Sequence, residues 1–159
     1  MSRVSKFQIA ALALAAWLGA SLITVAVVAP GAFAVLPSRT MAGTMVGQVL
    51  PALFIAGIAI TLAVAAVTGI PSTPGAPRGA TATAALAAAA CGFSQFIVTP
   101  KLDRLRAEIG GPVDALAPED ARRVAFGLYH GYNVAGLGVA MLGAAVCLCF
   151  LLYALRPRS

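Results

Sequence analysis

The sequence predicts an all-α integral membrane protein, a four-helix bundle in which four transmembrane helices form a single domain over residues 1–159. Three observations carry this. Hydrophobic residues make up 60% of the chain and charged residues only 10%, against about 45–50% and about 25% in soluble domains. The mean hydropathy is +0.93. Four apolar runs each reach the length of about 20 helical residues that a bilayer core requires. Barrel strands would need alternating segments of about 10 residues, and none occur.

The first run extends from about Phe7 to Ala29, and the proline and glycine residues Pro30, Gly31 and Pro37 are expected to break the chain after it. Arg3 and Lys6, an apolar stretch and Ala32-Phe33-Ala34 also read as a signal peptide with a small-residue cleavage site. The stretch is longer than the 7–15 apolar residues of such signals, which favours a retained span. The second run covers about Thr44 to Ile70, with Pro51 expected to kink it. The run Pro71-Ser72-Thr73-Pro74-Gly75-Ala76-Pro77 reads as a tight loop. The third span covers about Ala80 to Thr99, and its Ala84–Ala90 stretch is weakly hydrophobic but strongly helix-forming. Leu102, Leu105 and Ile109 then fall at helical spacing, so Lys101–Ile109 reads as an amphipathic continuation. The fourth span covers about Val124 to Leu155. Its helix is expected to begin near Pro118, with Glu119 and Asp120 on the positive dipole end and within reach of Arg123.

Two half-chain patterns correspond. Val27-Val28-Ala29-Pro30 is echoed by Ile97-Val98-Thr99-Pro100, and Ser21 and Thr24 by Cys91 and Ser94, as a duplicated helical hairpin would produce. The helices that follow carry small residues four apart, Gly43/Gly47 and Gly127/Gly131. These faces are read as close helix contacts, within the chain or in a homo-oligomer.

The net charge is +6, yet the Lys and Arg residues sit at the edges of apolar runs and form no basic stripe interleaved with aromatics. Nucleic acid is therefore not an expected partner; the lipid bilayer is. The termini and second loop carry basic residues without acids, whereas the third loop holds all five acids and is nearly neutral. That asymmetry favours cytoplasmic termini, in a bacterial inner (plasma) membrane.

The polar residues of the spans gather in one half of the membrane, on the side of the first and third loops. Ser21 and Thr24 are late in the first span, and Thr44 and Gln48 early in the second. Ser94 and Gln95 are late in the third, and His130, Tyr132 and Asn133 early in the fourth. Polar groups in lipid face the bundle interior or a watery cavity, so a polar vestibule opening toward those loops is expected. Trp17, Ser21, Thr24 and Val28 share one helical stripe, His130, Asn133, Leu137 and Met141 a second, and Cys91, Gln95 and Thr99 a third. The expected ligand-binding set is His130, Asn133, Gln95, Gln48, Trp17, Ser21 and Ser94. His130 has two readings: metal ligand or proton acceptor, or a packing residue hydrogen-bonded to Gln48, Gln95 or Asn133 at about 0.6 kcal/mol. It is the sole candidate metal ligand, because Cys147-Leu148-Cys149 lies in the opposite half and no matched Cys/His spacing exists. The cofactor is unknown: there is no phosphate-binding loop, no dinucleotide fingerprint and no nucleophilic triad, and His130 also reads as a haem ligand.

Several blocks are similar to a known family. Trp17-Leu18-Gly19, Val28-Ala29-Pro30 with Phe33, Leu36 and Pro37, and Ala42-Gly43 with Val46-Gly47 resemble the N-terminal half of the TMEM-205-like (DUF4149) membrane family. Thr99-Pro100-Lys101-Leu102 with Leu105-Arg106 is similar to its post-span segment, and Phe126-Gly127-Leu128-Tyr129-His130-Gly131 to its histidine signature. The resemblance implies a four-span membrane protein whose activity is not established. Looser likenesses run to the copper-resistance CopD-type and anthrone-oxygenase-like (DUF1772) four-span proteins. Three functions follow as expectations. The first is binding, or assisting transport of, a small solute or soft metal ion through the vestibule; the others are a structural or assembly subunit, and an oxygenase-like redox enzyme.

Overall fold

The computed structural model describes residues 3–69 and 77–156, with the side chain of residue 3 excepted. Of the Pro/Gly loop read from Pro71 onward, residues 71–76 lie outside these residues. Six α-helices and two π-helical turns build four long rods, and no strand occurs among the described residues. The first rod joins α1 (Arg3–Ile23), a π segment (Thr24–Val28) and α2 (Ala29–Val35). The second is α3 (Arg39–Gly69). The third joins α4 (Arg78–Phe93), a second π segment (Ser94–Val98) and α5 (Thr99–Ile109), and the fourth is α6 (Ala121–Ala154). All four are long and apolar enough to cross a membrane.

Pro30 does not break the first rod, contrary to the expectation from sequence, and the reason is local. A proline has no N–H and its ring crowds the carbonyl four residues back. In both rods the chain answers by adding a residue to the preceding turn. Ala29 donates its N–H to the carbonyl of Thr24, and Thr99 to that of Ser94. The wider turn accommodates the ring and the helix runs on. The Thr99 hydroxyl also donates to the Ser94 carbonyl, at 2.9 Å. The two π segments lie 70 residues apart, as the paired sequence motifs do. The rod ends instead at Leu36, whose backbone is extended (φ −76°, ψ 145°) ahead of Pro37. Pro51 stays inside an unbroken α3.

The fourth helix begins three residues later than the Pro118 expected from sequence. Asp120 is its N-cap and accepts the Arg122 N–H at 2.8 Å; its carboxylate pairs with Arg122 rather than Arg123. Arg123 instead donates to the Leu116 carbonyl at 2.7 Å. The stripe on α5 behaves as its spacing predicts, with Leu102 buried and Leu105 and Ile109 half-buried.

Side chains at the exposed faces, such as Leu12, Leu22, Phe96 and Leu142, are large and apolar, as acyl chains require. In the half of the bundle away from the first and third loops, α4 packs against α3 and α6 through Ala80, Ala84, Ala87, Ala140 and Ala144. Small residues let helix backbones approach, and in lipid that van der Waals contact replaces the hydrophobic drive. A Cβ on Gly143 would sit 3.0 Å from the Thr83 carbonyl oxygen. Near the middle of the bundle α1, α3 and α4 meet at Gly57. A Cβ there would lie 2.8 Å from both Trp17 Cζ2 and Cys91 Sγ. The Trp17 indole N–H donates to the Leu53 carbonyl at 2.9 Å, pinning α1 to α3.

Within the chain, the glycines read from sequence as helix contacts are not those. Cβ atoms on Gly43, Gly127 and Gly131 would meet nothing within 4 Å, and Gly47 faces the Arg106 guanidinium. Gly57→Val is therefore expected to lower unfolding stability in detergent by about 1–3 kcal/mol through overpacking. Gly43→Ala should leave it unchanged or raise it by up to about 1 kcal/mol. Thermal or SDS unfolding of the purified variants checks both, and equal destabilisation would restore the contact reading of Gly43.

Candidate functional site: a one-sided vestibule

The rods separate toward the first and third loops and enclose a cavity of about 780 Å³. Its two long walls are the N-terminal halves of α3 and α6; Phe33 of α2 and Thr99, Leu102 and Arg106 of α5 form the others. The third loop, through Gly111–Asp114, covers the outer end. Helix continuation past Pro30 and Pro100 is what brings α2 and α5 to these positions.

The charges at this opening are unbalanced. Arg39, Arg106 and Arg123 line it, with Asp114 as the lone carboxylate. Arg39 and Asp114 approach to 3.9 Å across the rim, both exposed. Arg106 bonds Asp103 at 3.0 Å and lies 5.5 Å from the centroid of the Phe126 ring. Arg123 has a backbone carbonyl as its partner and no carboxylate. Two helix N-termini, those of α3 and α6, begin at the same end, and their dipoles add positive potential. Deeper in, Val46, Leu50, Pro51 and Leu102 make the wall apolar.

Of the residues selected from sequence, His130 and Asn133 line the cavity together with Thr44. His130 is exposed at the mouth, its ring parallel to Phe126 with centroids 6.5 Å apart. Asn133 is buried one turn deeper. Ser21 and Ser94 are buried in the bundle interior behind the cavity, and Gln95 is half-buried. Gln48 is exposed and lies off the cavity wall, and Trp17 is in the core bonded to Leu53. Cys91 and Cys147 are buried and Cys149 exposed, all as free thiols. No group of three His, Cys, Asp or Glu residues converges among the described residues. Sequence inspection missed the arginines, because Arg106 and Arg123 were read as flanking charges; the i, i+3 spacing of Asp103 and Arg106 was the available signal.

The fold defines a multi-pass membrane protein, and the cavity lies at one end of its bundle. More particularly, a family model described as a domain of unknown function (DUF4149) matches residues 12–110, and the chain belongs to that family. No curated protein and no solved structure matches it. The matched segment holds the first rod from residue 12 on and all of the second and third, and His130 lies beyond it.

At the rim, the side-chain hydrogen bond from Arg122, aided by its backbone N–H, holds the Asp120 carboxyl down at about 2 from 3.8. A carboxyl whose folded pKa is depressed adds stability above its unfolded pKa and loses it as pH falls through the folded value. Asp120→Asn keeps the cap but removes the charge. It should therefore be less stable than the parent near neutral pH, with the difference closing between pH 3.8 and about 2. Melting curves of the pair across that range test this, and a gap independent of pH would contradict it.

Proposed function

We propose that this protein binds a small anionic solute, or assists its transport, through the vestibule, and that Arg123 is the principal receptor of the anion. The observation that carries this is Arg123, a guanidinium on the wall of a cavity with an apolar floor that has no carboxylate partner, whereas Arg39 and Arg106 approach Asp114 and Asp103. Guanidinium pairs bidentately with carboxylate or phosphate, and Arg123 spends only one N–H on the protein. The apolar floor suits an organic anion better than an inorganic one. A soft metal ion has weaker support: the single imidazole of His130 shares the cavity lining with three arginines, and no second soft ligand lines it. The likeness of Phe126–Gly131 to the TMEM-205-like histidine signature supports an assignment to that branch. The acid-free basic residues Lys6, Arg78 and Arg156 support cytoplasmic termini in a bacterial inner membrane. The vestibule then opens on the opposite side.

Calorimetric titration of the purified protein with phenyl phosphate tests the reading. A charge-assisted hydrogen bond is worth about 1.5–3 kcal/mol, so Arg123→Gln should weaken binding about 10- to 100-fold. Arg78→Gln, at the other end of the bundle, should leave it unchanged. Equal affinity in the Arg123→Gln variant would overturn the proposal, as would copper(I) binding lost in His130→Ala while phenyl phosphate binds nowhere.

A further inference from the structure

Four buried side-chain oxygens have no hydrogen-bond partner among the described residues: Ser21 Oγ, Ser94 Oγ, Gln95 Oε1 and Asn133 Oδ1. Ser21 and Ser94 are wholly buried and Asn133 is 6% exposed. Hydroxyls elsewhere in the spans behave differently. Thr24, Thr44, Thr61, Thr68 and Thr83 each donate to the carbonyl one turn back. That bond satisfies a hydroxyl in lipid at no cost in space. The two serines do not use it.

The four oxygens are also placed together along the bundle axis. Trp17 and Cys91 both reach Gly57 and so share a level. Ser21 is four residues beyond Trp17 and Ser94 three beyond Cys91, both toward the first and third loops, a rise of about 5–6 Å. Ser94 meets α6 at Gly136, where any Cβ would overlap its hydroxyl. Asn133 is one turn from Gly136 and already lines the vestibule. Beyond the Gly57 level the core is Phe7, Leu14 and alanines, whereas Phe54, three residues nearer the first loop than Gly57, and Leu137, beside Gly136, are buried at the level of the two serines.

We infer that the vestibule continues inward as a water-filled half-channel, from Asn133 to Ser94, Gln95 and Ser21, closed by a plug in which Trp17 and Cys91 pack on Gly57. Buried polar groups are satisfied by protein or by ordered water. These four lack the first among the described residues, and Asn133 lines the chamber. Water thus reaches the middle of the bilayer from one side and stops at the indole. This rests on the chamber but not on the anion assigned to it. A half-channel of this kind gives a solute a hydrated path to the bundle centre and leaves one aromatic side chain as the barrier to the other side.

Thiol accessibility in reconstituted liposomes tests it. In a Cys91→Ala, Cys149→Ser background, Ser94→Cys should react with membrane-impermeant methanethiosulfonates added on the vestibule side. Phe96→Cys, on the lipid face, should react at least 10-fold more slowly. Cys147, retained in the Ala-packed half, must stay unmodified as the sign of an intact fold. In the otherwise native chain, Cys91 should be protected, and Trp17→Ala should expose it while Cys147 stays protected. Failure of Ser94→Cys to react, reaction no faster than Phe96→Cys, or a protected Cys91 in Trp17→Ala overturns the half-channel. If Ser94→Cys unfolds, Ser94→Ala decides: a rise in melting temperature marks a dry orphan hydroxyl and refutes hydration, and no rise supports it. Faster reaction with anionic than cationic reagent bears on the anion reading alone, so the two proposals fail separately.

Discussion

A proline in a membrane-spanning helix withholds one backbone donor where no lipid can supply another. Pro30 and Pro100 impose that constraint at corresponding points of two rods, and the rest of the polar half follows from the response. Each preceding turn widens to the π pattern, with Ala29 and Thr99 donating five residues back. The helices continue instead of ending, so α2 and α5 extend past the packed core and frame the chamber. The second π segment also holds Ser94 and Gln95, which carry two of the four oxygens without a partner among the described residues. Single π turns are frequent at functional sites in helical proteins, and here the turn has a chemical origin in the sequence.

The bundle is unequal along its axis because its small residues are. Alanines and Gly143 draw α4 close to α6 over one half, leaving no room for water. In the other half Gly43, Gly47 and Gly127 line a cavity instead of a contact. At Gly47 the missing side chain gives the Arg106 guanidinium its place, which a Cβ would approach to 3.3 Å. The same residue type thus closes one end and opens the other, according to what stands opposite. Trp17 lies at the junction, large enough to fill the centre and bonded to α3 so that it holds one position.

Much of this architecture could be read from the chain. Length and hydropathy define the four rods, helical spacing places Leu102 inward, and the confinement of Ser21, Ser94, Gln95, His130 and Asn133 to one half points to the chamber. Periodicity did not distinguish Gln48 from Thr44: both are exposed and lie on one stripe, yet only Thr44 reaches the cavity wall. The persistence of the helix through Pro30 was hidden because local rules for proline describe the lost bond, not the π turn that absorbs it. The arginines were hidden for a different reason. A guanidinium beside an apolar run reads as a headgroup anchor, and only tertiary packing turns Arg106 and Arg123 toward a shared space. Asp120 and Glu119 were equal candidates near the helix start, and the cap geometry selects Asp120.

Whether the interior face of the first rod is wet is the question on which the inward extension of the chamber stands. Spin labels placed singly from 17 to 28 and probed with a polar nickel complex and with oxygen answer it directly. Nickel accessibility should peak at positions 21 and 24 and oxygen accessibility at 22, 23 and 25, where the side chains are exposed. Nickel accessibility flat along the segment, or the two profiles rising and falling in phase, would contradict a hydrated interior.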